Sequence, residues 1–305
     1  MSTTPPLAGA RVAVAASGGP DSTALLHSTA HAARALGIEV VALHVHHGLM
    51  PPADDWLALV RDQARRWKLG FDARRLVGAP TRGDSVEAWA RRGRWTALAE
   101  MARANDVGLV LLAQHRRDQA ETWLLQALRG GGPAGLSSMP ALVLRDGITW
   151  ARPWLGQPRR AIDAYLKRHR LRSVSDSSNT DARFARARLR SAVWPALLGA
   201  FPDAEVALAG SAARAQEAAA VLAEVAAQEL APLLDDGRLR VSAWKLLSAP
   251  RRALVLRSWL ATVLAEGVPE SLVQRLVQEL LPSRAARWPA GSHWLVMRKG
   301  RLFAE

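Results

Sequence analysis

The sequence predicts an α/β protein: a parallel sheet wrapped by helices, followed by a smaller, mostly helical C-terminal domain. Short apolar runs alternate with longer segments whose apolar residues recur at three- and four-residue spacing, as they do when helices connect parallel strands. A glycine pair, Gly18-Gly19, stands between the first such run and the first such helix. From Arg159 onward the helical pattern dominates, with a boundary near Ala200 to Asp203.

Val12 to Ala15, Glu39 to Leu43, Phe71 to Val77 and Gly108 to Ala113 read as the strands, and Ser22 to Leu36, Asp54 to Leu69, Asp84 to Ala104 and Arg117 to Arg129 as the helices between and after them. Asp84 and Glu87 have capping-box spacing at the start of the third helix, and Gly130-Gly131-Gly132-Pro133 ends the fourth. Asp146-Gly147, between Ala141 to Leu144 and Ile148 to Trp150, reads as a tight hairpin on the sheet's margin. The later part reads as a polar loop at Ser175 to Thr180, one long alanine-rich helix over Ala212 to Leu234, and helices around Pro250 to Ala265 and Ser271 to Leu280. A small hairpin of Trp294 to Met297 and Arg301 to Phe303 closes the chain. Domains of residues 1–200 and 201–305 follow.

A chain of 305 residues that is 49% hydrophobic buries a sizeable core in two domains. Met1 to Pro6 lack the basic start and apolar segment of a secretion signal, and no apolar stretch is long enough to span a bilayer, so a cytoplasmic location without membrane contact is the expectation. Zero cysteines exclude disulfides, thiolate zinc sites, iron–sulfur clusters and persulfide intermediates from the chemistry of this chain. The net charge of +14, from 41 basic against 27 acidic residues, points to a polyanionic partner, with nucleic acid the first candidate. Lys68, Lys167, Lys245 and Lys299 are the only lysines in a chain rich in Arg and Ala, a bias that genome composition also produces, so position must decide which arginines act.

Ligands of an open parallel sheet bind beyond the carboxyl ends of its strands. After the first strand, Ser17, Gly18, Gly19, Pro20, Asp21, Ser22 and Thr23 form a phosphate-cradling turn: the glycines admit an anion close to the backbone, and the hydroxyls stand beside free amides at a helix start. No Gly-Lys-Ser/Thr follows, so this is not a Walker A loop, and dinucleotide glycine spacing is absent. The bland alternative is a glycine turn capped by Asp21 and Ser22. After the second strand come His44, His46, His47 and Gly48, where His44 reads as packing and His47 and Gly48 as nucleotide or substrate contacts, with a solvated loop histidine the alternative for any of the three; zinc is disfavoured because no cysteine or acidic cluster accompanies them. After the fourth, Asp118, Glu121 and Thr122 share a helical face; Asp118 reads as functional, and Glu121 equally as function or as helix-dipole compensation. Glu87, Arg91 and Arg94 line one face of the third helix, which ordinary surface ion pairing also explains.

In this order the motifs resemble the tRNA(Ile)-lysidine synthetase family of PP-loop ATP pyrophosphatases. The likeness runs from Val12 to about Leu198. It rests on Ser17-Gly18-Gly19-Pro20-Asp21-Ser22, His44-Val45-His46-His47-Gly48-Leu49, Glu87 with Arg91 and Arg94, and Asp118-Gln119-Ala120-Glu121-Thr122. Arg129-Gly130 with Gly135-Leu136, Arg152-Pro153, and Asp176-Ser177-Ser178-Asn179 with Arg186, Arg188 and Arg190 complete it. The resemblance implies a PP-loop catalytic domain and a tRNA-binding helical one. It also implies ATP and Mg2+ as cofactors, a tRNA(Ile) with a CAU anticodon and free L-lysine as partners, and two steps: adenylation of the wobble cytidine's C2 oxygen, then attack by the lysine amine with departure of AMP. By the same resemblance Asp21 and Asp118 are catalytic and metal-binding, and the turn with His47 and Gly48 holds the nucleotide. Glu87, Arg91, Arg94, Glu121, Arg129, Arg186 and Arg188 then hold substrate or tRNA. Arg117 stands where the family commonly has an acid, Trp95 where it has Tyr, and Ala187 where it has Asn. Arg284, Arg287, Trp288, Arg298 and Lys299 offer basic and aromatic surface for the acceptor arm, or a solvated face. Another PP-loop activity on a different acceptor, and an inactive RNA-binding protein, remain as alternatives, and the oligomeric state is open between monomer and homodimer.

Overall fold

The computed structural model describes residues 9–48, 52–78, 86–174, 185–264, 267–283 and 285–305, with only the backbone of Glu87. The predicted capping box of Asp84 and Glu87, the Ser175 to Thr180 loop with Asp176, and Arg284 lie outside the described residues or side chains. Contacts divide the chain into two compact units, Met1–Arg214 and Ala215–Glu305.

The first unit opens with β1 (Arg11–Ala15), α1 (Pro20–Leu36), β2 (Glu39–His46), α2 (Ala53–Trp67), β3 (Gly70–Arg75), α3 (Val86–Ala104), β4 (Leu109–Leu111) and α4 (Arg116–Ala127). A short α5 (Pro133–Leu136) leads to the hairpin β5 (Leu142–Arg145) and β6 (Ile148–Ala151), then α6 (Arg159–Arg168). The sheet order is β3-β2-β1-β4-β6-β5, parallel throughout except for β5 on β6. The hairpin thus gives one edge strand, as its position on the margin required, and one interior strand beside β4. β1 is central, and its Val12, Ala13 and Val14 are all buried, because both faces of a parallel sheet are covered. Val12, Val14, Val40 and Ala42 pack on Leu25, Leu26, Val60 and Ala64 of α1 and α2. Ala13, Val41, Leu43, Val110 and Trp150 face Leu98, Met101 and Ala102 of α3 on the other side. Trp95 joins this second layer edge-on to Trp150, ring centroids 4.6 Å apart, so its aromatic face is spent on packing. The strand order reverses beside β1, where β4 returns next to it, which is where the fold opens a crevice.

After α6 the chain enters α7 (Ala185–Arg188), a π-turn over Leu189–Val193, α8 (Trp194–Ala200) and α9 (Ala204–Leu230). The turn between α8 and α9 spans residues 201–203, and the contact division falls further on, after Arg214. Among the described residues no single helix is long and apolar enough to cross a membrane.

The second unit takes the rest of α9 and adds β7 (Leu234–Asp235), β8 (Arg238–Arg240), α10 (Val241–Trp244), α11 (Ala249–Val263), α12 (Glu270–Glu279), β9 (Ala286–Ala290), β10 (His293–Arg298) and β11 (Arg301–Ala304). α9, α11, α12 and the β10–β11 hairpin were expected, whereas the short α10 was not, and the long helix ends at Leu230 before β7 rather than running to Leu234. The hairpin belongs to a five-stranded antiparallel sheet, order β7-β8-β11-β10-β9, that covers a core of Trp244, Leu256, Trp259, Leu276, Trp288 and Leu295. Trp288, read as surface aromatic, is 1% exposed: β9 pairs it opposite Leu295, and both point inward. Trp294 lies on the outer face with Arg287 stacked over its ring at 4.8 Å, and Phe303 lies there too with Arg238 at 5.2 Å.

Candidate active site

The turn after β1 is built by its own hydroxyls. Ser22 Oγ accepts from Ser17 N–H at 3.1 Å and donates to Gly19 O at 3.1 Å, while Gly19 N–H donates to Ser17 Oγ at 3.3 Å. Gly19 caps α1 and Pro20 fills its first position, where a missing N–H costs nothing. Gly18 adopts φ +85°, and a Cβ there would lie 3.3 Å from a methyl of Val174 and 3.4 Å from one of Val60. Gly18→Ala is therefore expected to lose about 1–2 kcal/mol from left-handed backbone strain alone, measurable as a lower urea midpoint at unchanged m-value.

At the end of β2, His44 is buried and bonds Ala16 O at 2.8 Å through Nδ1, tying β2 to the turn; burial pushes its imidazole pKa down, against the pull of that bond. His46 Nε2 meets Asp54 at 3.2 Å, and Asp54 in turn pairs with Arg75 at 2.6 Å. His47 is half-buried against Trp56, ring centroids 5.7 Å apart, and Gly48 takes φ +69° beside it.

The end of β4 supplies the charged centre. Asp118, at the third position of α4, accepts from the His115 backbone N–H at 3.0 Å, which closes the helix start. His115 Nε2 lies 3.4 Å from Asp118 and 3.9 Å from Asp21, so the two predicted carboxylates flank one buried imidazole across the crevice between β1 and β4. Arg159, from the start of α6, puts Nη1 3.2 Å from each Asp21 oxygen, with hydrogen-bond geometry to Oδ2 alone. Asp21 Oδ1 is buried without a hydrogen bond. Desolvation raises the Asp21 pKa and neighbouring Asp118 adds to it, while Arg159, His115 and Arg190 pull it back.

Beyond Asp118 the acids are answered internally. Glu121 is fully buried and takes Arg190 Nε at 2.8 Å, with Arg186 Nε at 3.5 Å; Arg190 Nη2 reaches Asp118 at 2.8 Å, and Arg186 Nη2 donates to Thr122 at 2.6 Å. Burial alone would lower the Arg190 pKa, but its bonds to Glu121 and the charge of Asp118 hold it above the ordinary value. Arg117, the residue of unexpected sign, stacks on Trp194 at 5.8 Å and shares Glu205 with Arg116, at 3.3 and 2.9 Å. Of the predicted arginines, Arg91, Arg94, Arg129 and Arg188 are exposed, Arg129 just past α4. His115, Arg159 and Glu205 had no assigned part in the sequence reading; nothing in their local pattern separates them from a loop histidine or a helix-surface charge.

Asp21 Oδ1 fits a hard divalent cation. Among the described residues no cluster of three or more ligating side chains exists, so such an ion would complete its shell with phosphate oxygens and water. A cavity of about 390 Å³, lined by Arg11, Arg34, Glu39, Trp67, Lys68 and Asn105, lies at the opposite, amino end of β1 to β3, away from these groups.

Fold and turn together define a PP-loop protein, and residues 3–197 match the PP-loop domain family. Residues 239–303 match the TilS substrate binding domain. The chain is 44% identical over 90% of its length to a tRNA(Ile)-lysidine synthase of Ralstonia nicotianae, 59% of which it spans. It is 40% and 39% identical, over 97% of its length, to the tRNA(Ile)-lysidine synthases of Bordetella bronchiseptica and Bordetella pertussis, spanning 90% and 96% of them. The chain belongs to the tRNA(Ile)-lysidine synthase family. A solved U34-tRNA thiolase, NcsA from Methanococcus maripaludis with its [4Fe-4S] cluster, shares the fold at TM-score 0.60 and 12% identity, covering 70% of this chain and 74% of that one.

Proposed function

We propose that the chain uses ATP to join free lysine to C2 of the wobble cytidine in a tRNA(Ile) with a CAU anticodon, a reading supported by the name its relatives carry, tRNA(Ile)-lysidine synthase. The observation that carries the reading is the meeting of the Gly18-Gly19 turn, Asp21 and Asp118 at the reversal of strand order. In the first step the cytidine O2 attacks the α-phosphorus and pyrophosphate leaves. In the second the lysine amine, having lost a proton, adds at C2 and AMP departs with the C–O bond pair.

Amides at Gly18, Gly19 and the first turn of α1 would grip the phosphates, where the helix start favours negative charge. Bound Mg2+ would offset the charge of the departing pyrophosphate. Asp21 would hold that ion and Arg159 would hold Asp21 in place. Asp118 would face the lysine ammonium, with Glu121 behind it fixing Arg190. Arg91, Arg94, Arg129 and Arg188, which are exposed, would meet tRNA phosphates. Incubation with labelled lysine, ATP, Mg2+ and the CAU-anticodon tRNA should transfer label to RNA, with one pyrophosphate released per lysine joined; tRNA binding without transfer would defeat the reading.

A further inference from the structure

On the α3 side of the sheet, beyond the carboxyl ends of β4 and β6, polar side chains lie without the partners that burial demands. Arg152 follows β6 and is 8% exposed. Its Nη1 donates to Pro140 O at 2.9 Å, but its Nε is buried with no acceptor. Three residues past the end of the neighbouring β4, and two past Leu112 of the α3-side core, Gln114 holds a buried Oε1 that accepts nothing. The two strands still bond here, Leu112 N–H to Ala151 O at 2.8 Å.

Arg152 directly follows β6, whose Trp150 faces α3, and it lies close enough to Arg91 of α3 for that charge to act on it. Trp95 of α3 packs on Trp150, which puts Arg91, one helical turn earlier, above Arg152. Burial lowers the Arg152 pKa and the charge of Arg91 lowers it further, and neither arginine pairs with a carboxylate among the described residues. A guanidinium buried with no counter-charge among the described residues is costly, so a ligand that supplies an acceptor is stabilised there.

A phosphate would answer both cations and leave the Gln114 carbonyl idle. A cytosine edge answers both orphaned atoms, because its N3 accepts and its N4 amino group donates. We infer that Arg152 and Gln114 form the nucleobase pocket of this site, Arg152 donating to N3 and Gln114 accepting from the N4 amino group of the target cytidine, with Arg91 on a flanking phosphate. This rests on the function proposed above and gives it a reader of the base. That edge leaves O2 free for adenylation. Uracil inverts it: the Gln114 amide can turn over to meet O4, but Arg152 cannot accept from N3–H, so the discrimination lies in Arg152.

The test is single-turnover transfer of AMP from α-labelled ATP to the tRNA, lysine omitted, with cytidine or uridine at the wobble position. The wild type should prefer cytidine by more than about tenfold, and Arg152→Met should lower adenylation of the cytidine RNA by about 10- to 100-fold, the scale of a lost base-edge contact. The same variant should narrow the preference and leave tRNA affinity within about threefold. Gln114→Met should fall by about tenfold while Gln114→Glu, which keeps an acceptor, stays near wild type; this pair carries the test if a thermal melt shows Arg152→Met unfolded. Adenylation at the wild-type rate in Arg152→Met and Gln114→Met, or an unchanged cytidine preference, overturns the pocket. A wild type that adenylates neither RNA overturns the functional reading, and the pocket with it.

Discussion

Asp21→Ala should lower lysine transfer by about 100- to 1000-fold, the usual loss when a group that offsets transition-state charge is removed, while tRNA affinity changes less than about threefold. The reason is location: Asp21 sits at the start of α1 beside the phosphate turn, and its Oδ1 is buried without a hydrogen bond. Single-turnover transfer alongside filter binding separates the effects, and equal losses in both would remove Asp21 from the chemistry. The pH dependence has a defined sign. Desolvation raises the folded-state pKa, so the ionised side chain costs stability at pH values above that pKa, and the cost vanishes below the ordinary carboxylate range. Asp21→Asn is therefore expected to melt higher than wild type at neutral pH, with the difference closing in acid, while its transfer activity is lost. In Arg159→Met the cation that opposes the shift is gone, so the acidic limb of the wild-type pH–rate profile should move to higher pH.

Arg190→Met is the second large effect, and it falls on stability. The side chain of Glu121 has no exposure and that of Asp118 has 12%, and Arg190 answers both. Removing it leaves the buried Glu121 only Arg186 at 3.5 Å, at a cost of about 2–4 kcal/mol, below the top of the buried-pair range because Arg186 remains and the Arg190 side chain keeps 35% exposure. Urea unfolding should show this as a lower midpoint. The double variant Arg190→Met, Glu121→Leu should recover most of the loss, since apolar groups of similar volume replace a buried pair without penalty. A double variant no more stable than the single one would mean that Arg190 acts chiefly through Asp118.

The order of strands and helices was legible because each carries a local period, and the phosphate turn because two glycines interrupt an apolar run at the start of a helix. Asp118 reads as functional from its place after a strand, and the structure adds its cap on the His115 backbone, which the strand-end position does not signal. What local pattern does not carry is the set of ion pairs that hold the site. Arg159 meets Asp21 across 138 residues of chain and Arg190 meets Asp118 across 72, distances at which no periodicity survives. Glu121 shows the limit well: helix-dipole compensation and function were equal readings, and the structure places it as the buried anchor of two arginines. β9, Ala-Arg-Trp-Pro-Ala, escaped because a proline and an arginine break its alternation, and Trp288 faces inward only once the register with β10 is known.

The π-turn at Leu189–Val193 sets the phase of everything after it. A wide turn of this kind amounts to one residue more than a regular helix needs, and a residue advances an α-helix by about 100°. That single step lets one continuous rod aim Arg190 at the carboxylates of α4 and, four positions on, slide Trp194 beneath Arg117. The segment therefore works like a gear tooth: apart from Leu189 and Arg190 its side chains can vary more freely than its length, and a one-residue deletion there would rotate the aromatic platform away while leaving the sequence on either side untouched.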